Sequence, residues 1–173
     1  QSLLERAAQH YHERPEAHAV IFVPAGNAPH KPITYRAFFE NAARYAETLR
    51  SIGIGRHDLA ILVMDHSEAL LYAFWGALML GAMPSIFPFL SDKLDPALYF
   101  ERVRLLISHS SAKVVIASAQ YADSLAALNS GVPIVSEAAL RPGEGVPHFN
   151  FEVRGEDIAF LQHSSGTTGL QKG

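Results

Sequence analysis

Residues 58–64 read Asp-Leu-Ala-Ile-Leu-Val-Met. A strand made from this run has no polar face, so it must be covered on both sides. That requirement favours a parallel sheet between two helical layers over an antiparallel sheet with one wet face. The flanking sequence supplies the helices. Thr34 reads as the N-cap of a helix running to about Arg50, with Phe38, Ala42, Tyr45, Ala46 and Leu49 on one face. Gly53 and Gly55 close it. Ser67 reads as the N-cap of a second helix reaching about Ala82, and spacing predicts further helices over Leu3–Glu13, Pro96–His109 and Ala122–Leu128. Strands are predicted over Ala19–Val23, Ser85–Phe87, Lys113–Ala117, Val132–Val135 and Asp157–Gln162, with Ile158–Leu161 buried. Arg141–Asn150 is rich in Pro and Gly and reads as a surface connection. Strands alternating with helices predict an α/β fold, a mostly parallel sheet with flanking helices.

The stretch Ala69–Leu90 is apolar enough to raise a membrane reading, since roughly 20 residues span a bilayer. Gly76, Gly81, Pro84 and Pro88 interrupt it, and Pro84 ends a helix near Met83. A buried helix followed by a short strand is the better parse, and no membrane span is predicted. The composition, 49% hydrophobic and 18% charged over 173 residues, is that of a packed core rather than a disordered chain. A formal net charge of −3 leaves no electrostatic footprint for nucleic acid. With no cysteine, disulfides and thiolate metal sites are excluded, and the composition is compatible with a cytoplasmic location. No signal peptide is apparent, and because the chain opens on Gln1 its natural N-terminus is expected elsewhere.

Nine histidines invite a metal reading. His10 and His12 are two apart, which does not place them on one helix face. The rest are scattered, none in a zinc-type spacing, so no metal site is predicted. Asp65-His66-Ser67 reads as a strand-end turn with an N-cap, because adjacent residues do not make a triad. Phe74 and Trp75 read as core, and His163 as a packing residue in preference to a substrate or nucleotide contact.

The sequence ends on Ser164-Ser165-Gly166-Thr167-Thr168-Gly169-Leu170-Gln171-Lys172-Gly173. Glycines let backbone N–H groups approach a ligand, four hydroxyls can donate to phosphate oxygens, and Lys172 adds a mobile positive charge. Such a loop is suited to an anion, above all the phosphates of a nucleotide. The P-loop pattern G-x-x-x-x-G-K-[ST] fails at two positions, Gln171 and Gly173. A flexible linker is disfavoured by the apolar Ile158-Ala159-Phe160-Leu161 just upstream.

The order S-S-G-T-T-G-x-x-K-G resembles the phosphate-binding signature of the adenylate-forming enzymes, which include acyl-CoA synthetases, fatty acyl-AMP ligases, aryl-CoA ligases, peptide-synthetase adenylation domains and luciferases. Gln171 stands where that signature usually has Pro. Ile33–Phe38 (ITYRAF) is similar to the segment opening the family's early helix, and Leu78–Pro84 (LMLGAMP) to its turn between helix and strand. Leu106–Ile116 (LISHSSAKVVI) resembles the following helix-to-strand step, and Leu161-Gln162 resembles the acyl ligase branch more than the amino-acid branch. The resemblance implies that residues 1–173 are a partial N-terminal domain of an AMP-binding enzyme, ending in the phosphate loop 164–173. It implies ATP and Mg²⁺ as cofactors and a two-step reaction: a carboxylic acid is converted to an acyl-adenylate, then transferred to a thiol of CoA or of carrier-protein phosphopantetheine. Ser164, Ser165, Gly166, Thr167, Thr168 and Gly169 would grip the β- and γ-phosphates, and Lys172 would neutralise the departing pyrophosphate. The family's Mg²⁺-binding glutamate, base pocket and catalytic lysine come after this loop, so no catalytic or metal-binding residue is assigned within 1–173, and the chain alone is expected to be inactive. The acid is a fatty or other acyl acid, an amino acid being the alternative. Two other classes stay open: a standalone nucleotide- or phosphate-binding module, and a non-catalytic interaction domain.

Overall fold

A computed structural model describes residues 2–24, 26–88, 90, 94–140, 146–150 and 152–162. Helix α1 (Leu3–Glu13) opens with a capping box: the Ser2 hydroxyl accepts from the Glu5 amide, and the Glu5 carboxylate accepts from the Ser2 N–H. A hairpin follows, β1 (His18–Phe22) antiparallel to β2 (Lys31–Thr34). Then come α2 (Tyr35–Ser51), β3 (Leu59–Val63), α3 (Glu68–Met79), β4 (Met83–Ile86), α4 (Pro96–His109), β5 (Ala112–Ala117), α5 (Ala119–Ala126), β6 (Ile134–Ser136), a 3₁₀ turn over Glu137–Ala139 and β7 (Leu161–Gln162). Strands β3 to β7 form one parallel sheet in the order β6-β5-β3-β4-β7. The predicted α/β architecture is therefore the observed one.

All five side chains of β3 are buried. They divide by parity. Ala60 and Leu62 pack with Phe38, Ala42, Ala46 and Leu49 of α2 and Ala73 and Ala77 of α3. Leu59, Ile61 and Val63 pack with Tyr99, Val103 and Ile107 of α4 and Tyr121 and Leu125 of α5. Thr34 and Ser67 cap their helices as expected, accepting from the amides of Ala37 and Leu70. Among the described residues no helix is long and apolar enough to cross a membrane.

Two glycines fix how α3 lies. A Cβ on Gly76 would sit 2.9 Å from both the Ala42 carbonyl oxygen and the Ala46 nitrogen, so α2 and α3 meet backbone to backbone. Beside this contact the Trp75 ring meets Phe38 and Phe39 edge on. Gly81, at φ 75°, ends α3 in a Schellman motif: its N–H donates to the Leu78 carbonyl, and that of Ala82 to the Ala77 carbonyl.

The structure corrects several sequence expectations. Residues 31–34 form a strand although Pro32 lowers strand propensity; as half of an isolated hairpin, β2 leaves Pro32 without the need for two ladder partners. The fifth helix starts at Ala119 rather than Ala122, and β6 spans Ile134–Ser136 instead of Val132–Val135. The last strand is Leu161–Gln162 alone, and Ile158–Leu161 is not buried throughout: Ile158 and Phe160 are 58% and 48% exposed, while Ala159 packs against the α2/α3 core and Leu161 against the α4/α5 core. The segment read as a surface connection is anchored at its end, where Phe149 is buried against Tyr11 and Phe39 and the Asn150 N–H donates to the Met79 carbonyl.

A Gly76→Val substitution forces side-chain carbons into the backbone of α2, which cannot retreat without separating the helices. The expected cost is about 3 kcal/mol of unfolding free energy in urea titration. A loss below about 0.5 kcal/mol, the level of ordinary surface changes, would show that the helix pair is not held this closely.

Candidate functional site

In an open parallel sheet, ligands bind beyond the carboxyl ends of the strands, where neighbouring connections leave to opposite faces. Here β3 leads to α3 on one face, while its neighbours β4 and β5 lead to α4 and α5 on the other. The carboxyl end of β3 is therefore the switch point of the fold.

The residues at this edge are held by side chains from distant elements. Asp65, just beyond β3, accepts a 2.8 Å hydrogen bond from the Tyr121 hydroxyl and another from the Gln120 amide, and its own N–H donates to the Ser118 hydroxyl at 3.0 Å. Ser118 directly follows β5 and is buried; its N–H donates to the Val63 carbonyl. Because the Ser118 hydroxyl accepts from Asp65, it does not cap α5. Burial, reinforced by the bond to Asp65, raises the Tyr121 phenol above its ordinary value and keeps it protonated as a donor. One strand over, the Phe87 N–H donates to the Leu62 carbonyl, and the Pro88 carbonyl accepts a 2.9 Å bond from the hydroxyl of Tyr99, which is 1% exposed. Burial raises the Tyr99 phenol as well.

The expected strand-end turn at Asp65-His66-Ser67 is present, and its three side chains go to three elements. Asp65 reaches α5, His66 stacks on Phe22 of β1 with centroids 5.1 Å apart, and Ser67 caps α3. Beside it, Lys31 of β2 donates to both oxygens of Glu68 at 2.9 Å, and Glu68 accepts from the Tyr72 hydroxyl. These contacts seat the hairpin against the same edge.

The predicted phosphate-loop residues Ser164, Ser165, Gly166, Thr167, Thr168, Gly169 and Lys172, like His163, lie outside the described residues. What is described is the element that delivers them. Strand β7 pairs with β4, Leu161 opposite Ser85 and Gln162 opposite Ile86, so the chain runs toward the carboxyl edge as it leaves Gln162. The approach to β7 is tied to the opposite edge, where the Arg56 guanidinium donates to Asp157 at 2.9 Å and the same carboxylate oxygen accepts from the Arg154 N–H at 2.8 Å. Sequence reading missed this pair because its members are 101 positions apart. Two clefts, of about 230 and 300 Å³, also open at the amino edge, beside Gly81 and Leu80 respectively, away from the switch point. Among the described residues no three His, Asp or Glu side chains gather, so the magnesium that the resemblance implies is assigned no ligand there.

With this geometry in place, the comparisons with known proteins converge. The chain belongs to the AMP-binding enzyme family, whose model matches residues 4–173. It is 27% identical over 156 residues to 4-coumarate–CoA ligase 3 of Arabidopsis thaliana, covering 83% of this chain and 27% of that ligase. It is 32% identical over 143 residues to N-(5-amino-5-carboxypentanoyl)-L-cysteinyl-D-valine synthase of Amycolatopsis lactamdurans, covering 81% of this chain and 4% of the synthase. The fold is that of a fatty acyl-adenylate ligase from L. pneumophila, solved in complex with acyl adenylate and pyrophosphate, with a TM-score of 0.78, 20% identity and coverage of 99% of this chain and 29% of that one.

The Asp157 carboxyl is held below the ordinary carboxylate range, first by the Arg154 amide and then by Arg56. A carboxylate favoured in the folded state adds stability above its unfolded pKa and loses it as pH falls through the folded value. The difference in unfolding free energy between wild type and Asp157→Ala is therefore expected to be full at neutral pH and to shrink as pH drops below about 4. Urea titrations stepped in pH measure this, and a difference that stays constant across that range contradicts the assignment.

Proposed function

We propose that residues 1–173 are the N-terminal part of an ATP-dependent carboxylic acid ligase that forms an acyl-adenylate and passes the acyl group to a thiol of CoA or of a carrier protein. The observation that carries the reading is the family match over residues 4–173, whose last ten residues are the hydroxyl- and glycine-rich sequence that follows β7. The chain spans 27% of the coumarate ligase and 29% of the fatty acyl-adenylate ligase, which supports a longer parent protein.

In this reading ATP presents its polyphosphate to the loop after β7. The Ser164, Ser165, Thr167 and Thr168 hydroxyls and the backbone N–H groups around Gly166 and Gly169 hold the β- and γ-phosphates, and Lys172 offsets the charge that develops as pyrophosphate leaves. Bound magnesium would supply further charge neutralisation on the phosphates. The chain's own contribution is orientation: a rigid parallel sheet aims the loop, and oriented donors stabilise charge without reorganising. A fatty or other acyl acid is the favoured substrate. The 32% identity to the peptide-forming synthase supports an amino acid as the second reading.

Acid-dependent exchange of labelled pyrophosphate into ATP tests the proposal across fatty, aryl and amino acids. The longer protein is expected to exchange with one class, and the 173-residue chain with none. In the longer protein, Lys172→Ala is expected to lower exchange about a hundredfold, the loss typical of removing one preorganised charge-stabilising donor. Wild-type-level exchange in that variant, or exchange by the short chain alone, would contradict these assignments.

A further inference from the structure

Three neighbouring strands end side by side at the carboxyl edge. Val63 of β3 is paired with Ala117 of β5, and Ala117 with Ser136 of β6. One step further on, the sheet register brings together the turn that holds Asp65, the start of α5, and Glu137. α5 is eight residues long, too short to hold its first turn by local interactions alone. Leu125 fixes its far end in the core. Its own N-cap residue makes no side-chain capping bond, because the Ser118 hydroxyl accepts from the Asp65 N–H instead. The polar contacts to the first turn come from the two neighbouring strand ends. On the β6 side the Glu137 carboxylate accepts from the Ala119 N–H, the first amide of the helix. On the β3 side the Asp65 carboxylate accepts from the Gln120 amide and the Tyr121 hydroxyl. Three consecutive residues of one helical turn are thus held by two carboxylates that arrive from opposite sides.

We infer that this pair is a pH-sensitive latch on α5: Glu137 and Asp65 grip the first turn together, and the grip loosens when both are charged. Each carboxylate is drawn to the helix N-terminus, but the two repel each other. Burial raises the Glu137 carboxyl above its ordinary value; the Ala119 N–H opposes this, and the Asp65 charge adds to it. Glu137 also faces Tyr45 of α2, a phenol raised by burial first and by the Glu137 charge second. A carboxyl that the fold favours in its neutral form adds stability below its unfolded pKa and loses it as pH rises through the folded value. Docking of α5 is therefore tightest in mild acid. Loosening reaches the switch point, because Gln120 and Tyr121, which move with α5, are the partners of Asp65. The latch requires no ligand at this edge, so it stands or falls separately from the ligase reading.

Amide hydrogen exchange on the 173-residue chain, expressed as protection relative to the unstructured rate at each pH, tests the latch. In the wild type, peptides covering 119–128 are expected to lose at least about twofold in protection between about pH 5 and about pH 8, with α2 and α3 unchanged. Glu137→Gln keeps an oxygen for the Ala119 N–H and removes the charge. It is expected to hold the wild-type protection of about pH 5 across the whole range. Glu137→Ala loses the cap as well, and its 119–128 peptides are expected to exchange about fivefold faster than those of Glu137→Gln, the scale of one lost helix cap. Asp65→Asn keeps an acceptor for Tyr121 and removes the second charge, so it is expected to shrink the pH-dependent fall. A wild type with no such fall, a fall shared evenly by α2 and α3, a fall that persists in Glu137→Gln, or equal protection in Glu137→Ala and Glu137→Gln overturns the proposal.

Discussion

A five-residue strand with no accessible side chain is stable only if something apolar covers each face and another strand covers each edge. β3 has all four: α2 and α3 above, α4 and α5 below, β4 and β5 alongside. With roughly 25 cal/mol gained per Å² of apolar surface removed from water, this burial outweighs any single surface contact in the molecule. It also dictates the connections. Parallel neighbours require crossovers, the crossovers are the helices, and the helices are what hide β3. Everything positioned at the carboxyl edge inherits its place from that closed set of dependencies.

The two edges of the sheet are finished differently. The amino edge is set by a backbone turn and an ion pair, with Gly81 turning out of α3 and Arg56 reaching over to Asp157 before β7. The carboxyl edge is set by polar side chains that arrive from α4 and α5: Tyr99, Gln120 and Tyr121. Apolar packing tolerates small shifts, whereas hydrogen bonds to a fixed carboxylate or carbonyl are directional and short-ranged.

Elements with strong local signals were legible in the sequence. Leu3–Glu13 and Pro96–His109 match the observed helices at both ends, and the Thr34 and Ser67 caps bond as read. These features depend on residues within four positions of one another. What was not legible depends on distance along the chain. Strand β2 is specified by its partner β1, and Pro32 hides it from propensity. Ile158 and Phe160 precede the short strand β7 rather than lie in it and are exposed, which their apolar character does not reveal. Asp65 was read correctly as part of a strand-end turn, but its partners lie 55 and 56 residues on, so its bonds had no local trace. Residues 164–173 are the reverse case: their reading as a phosphate site comes from consecutive residues alone, and they lie outside the described residues.

Trp75 is the only tryptophan in the chain, and it lies edge-on to Phe38 and Phe39 where α2 meets α3. Intrinsic fluorescence excited at the indole is thus a local optical gauge of one helical layer. It registers separation of α2 from α3 and is insensitive to rearrangement among Tyr99, Phe100 and Tyr121 on the far face. The protein carries a built-in spectroscopic asymmetry, through which the order in which its two layers come apart can be read without attaching a dye.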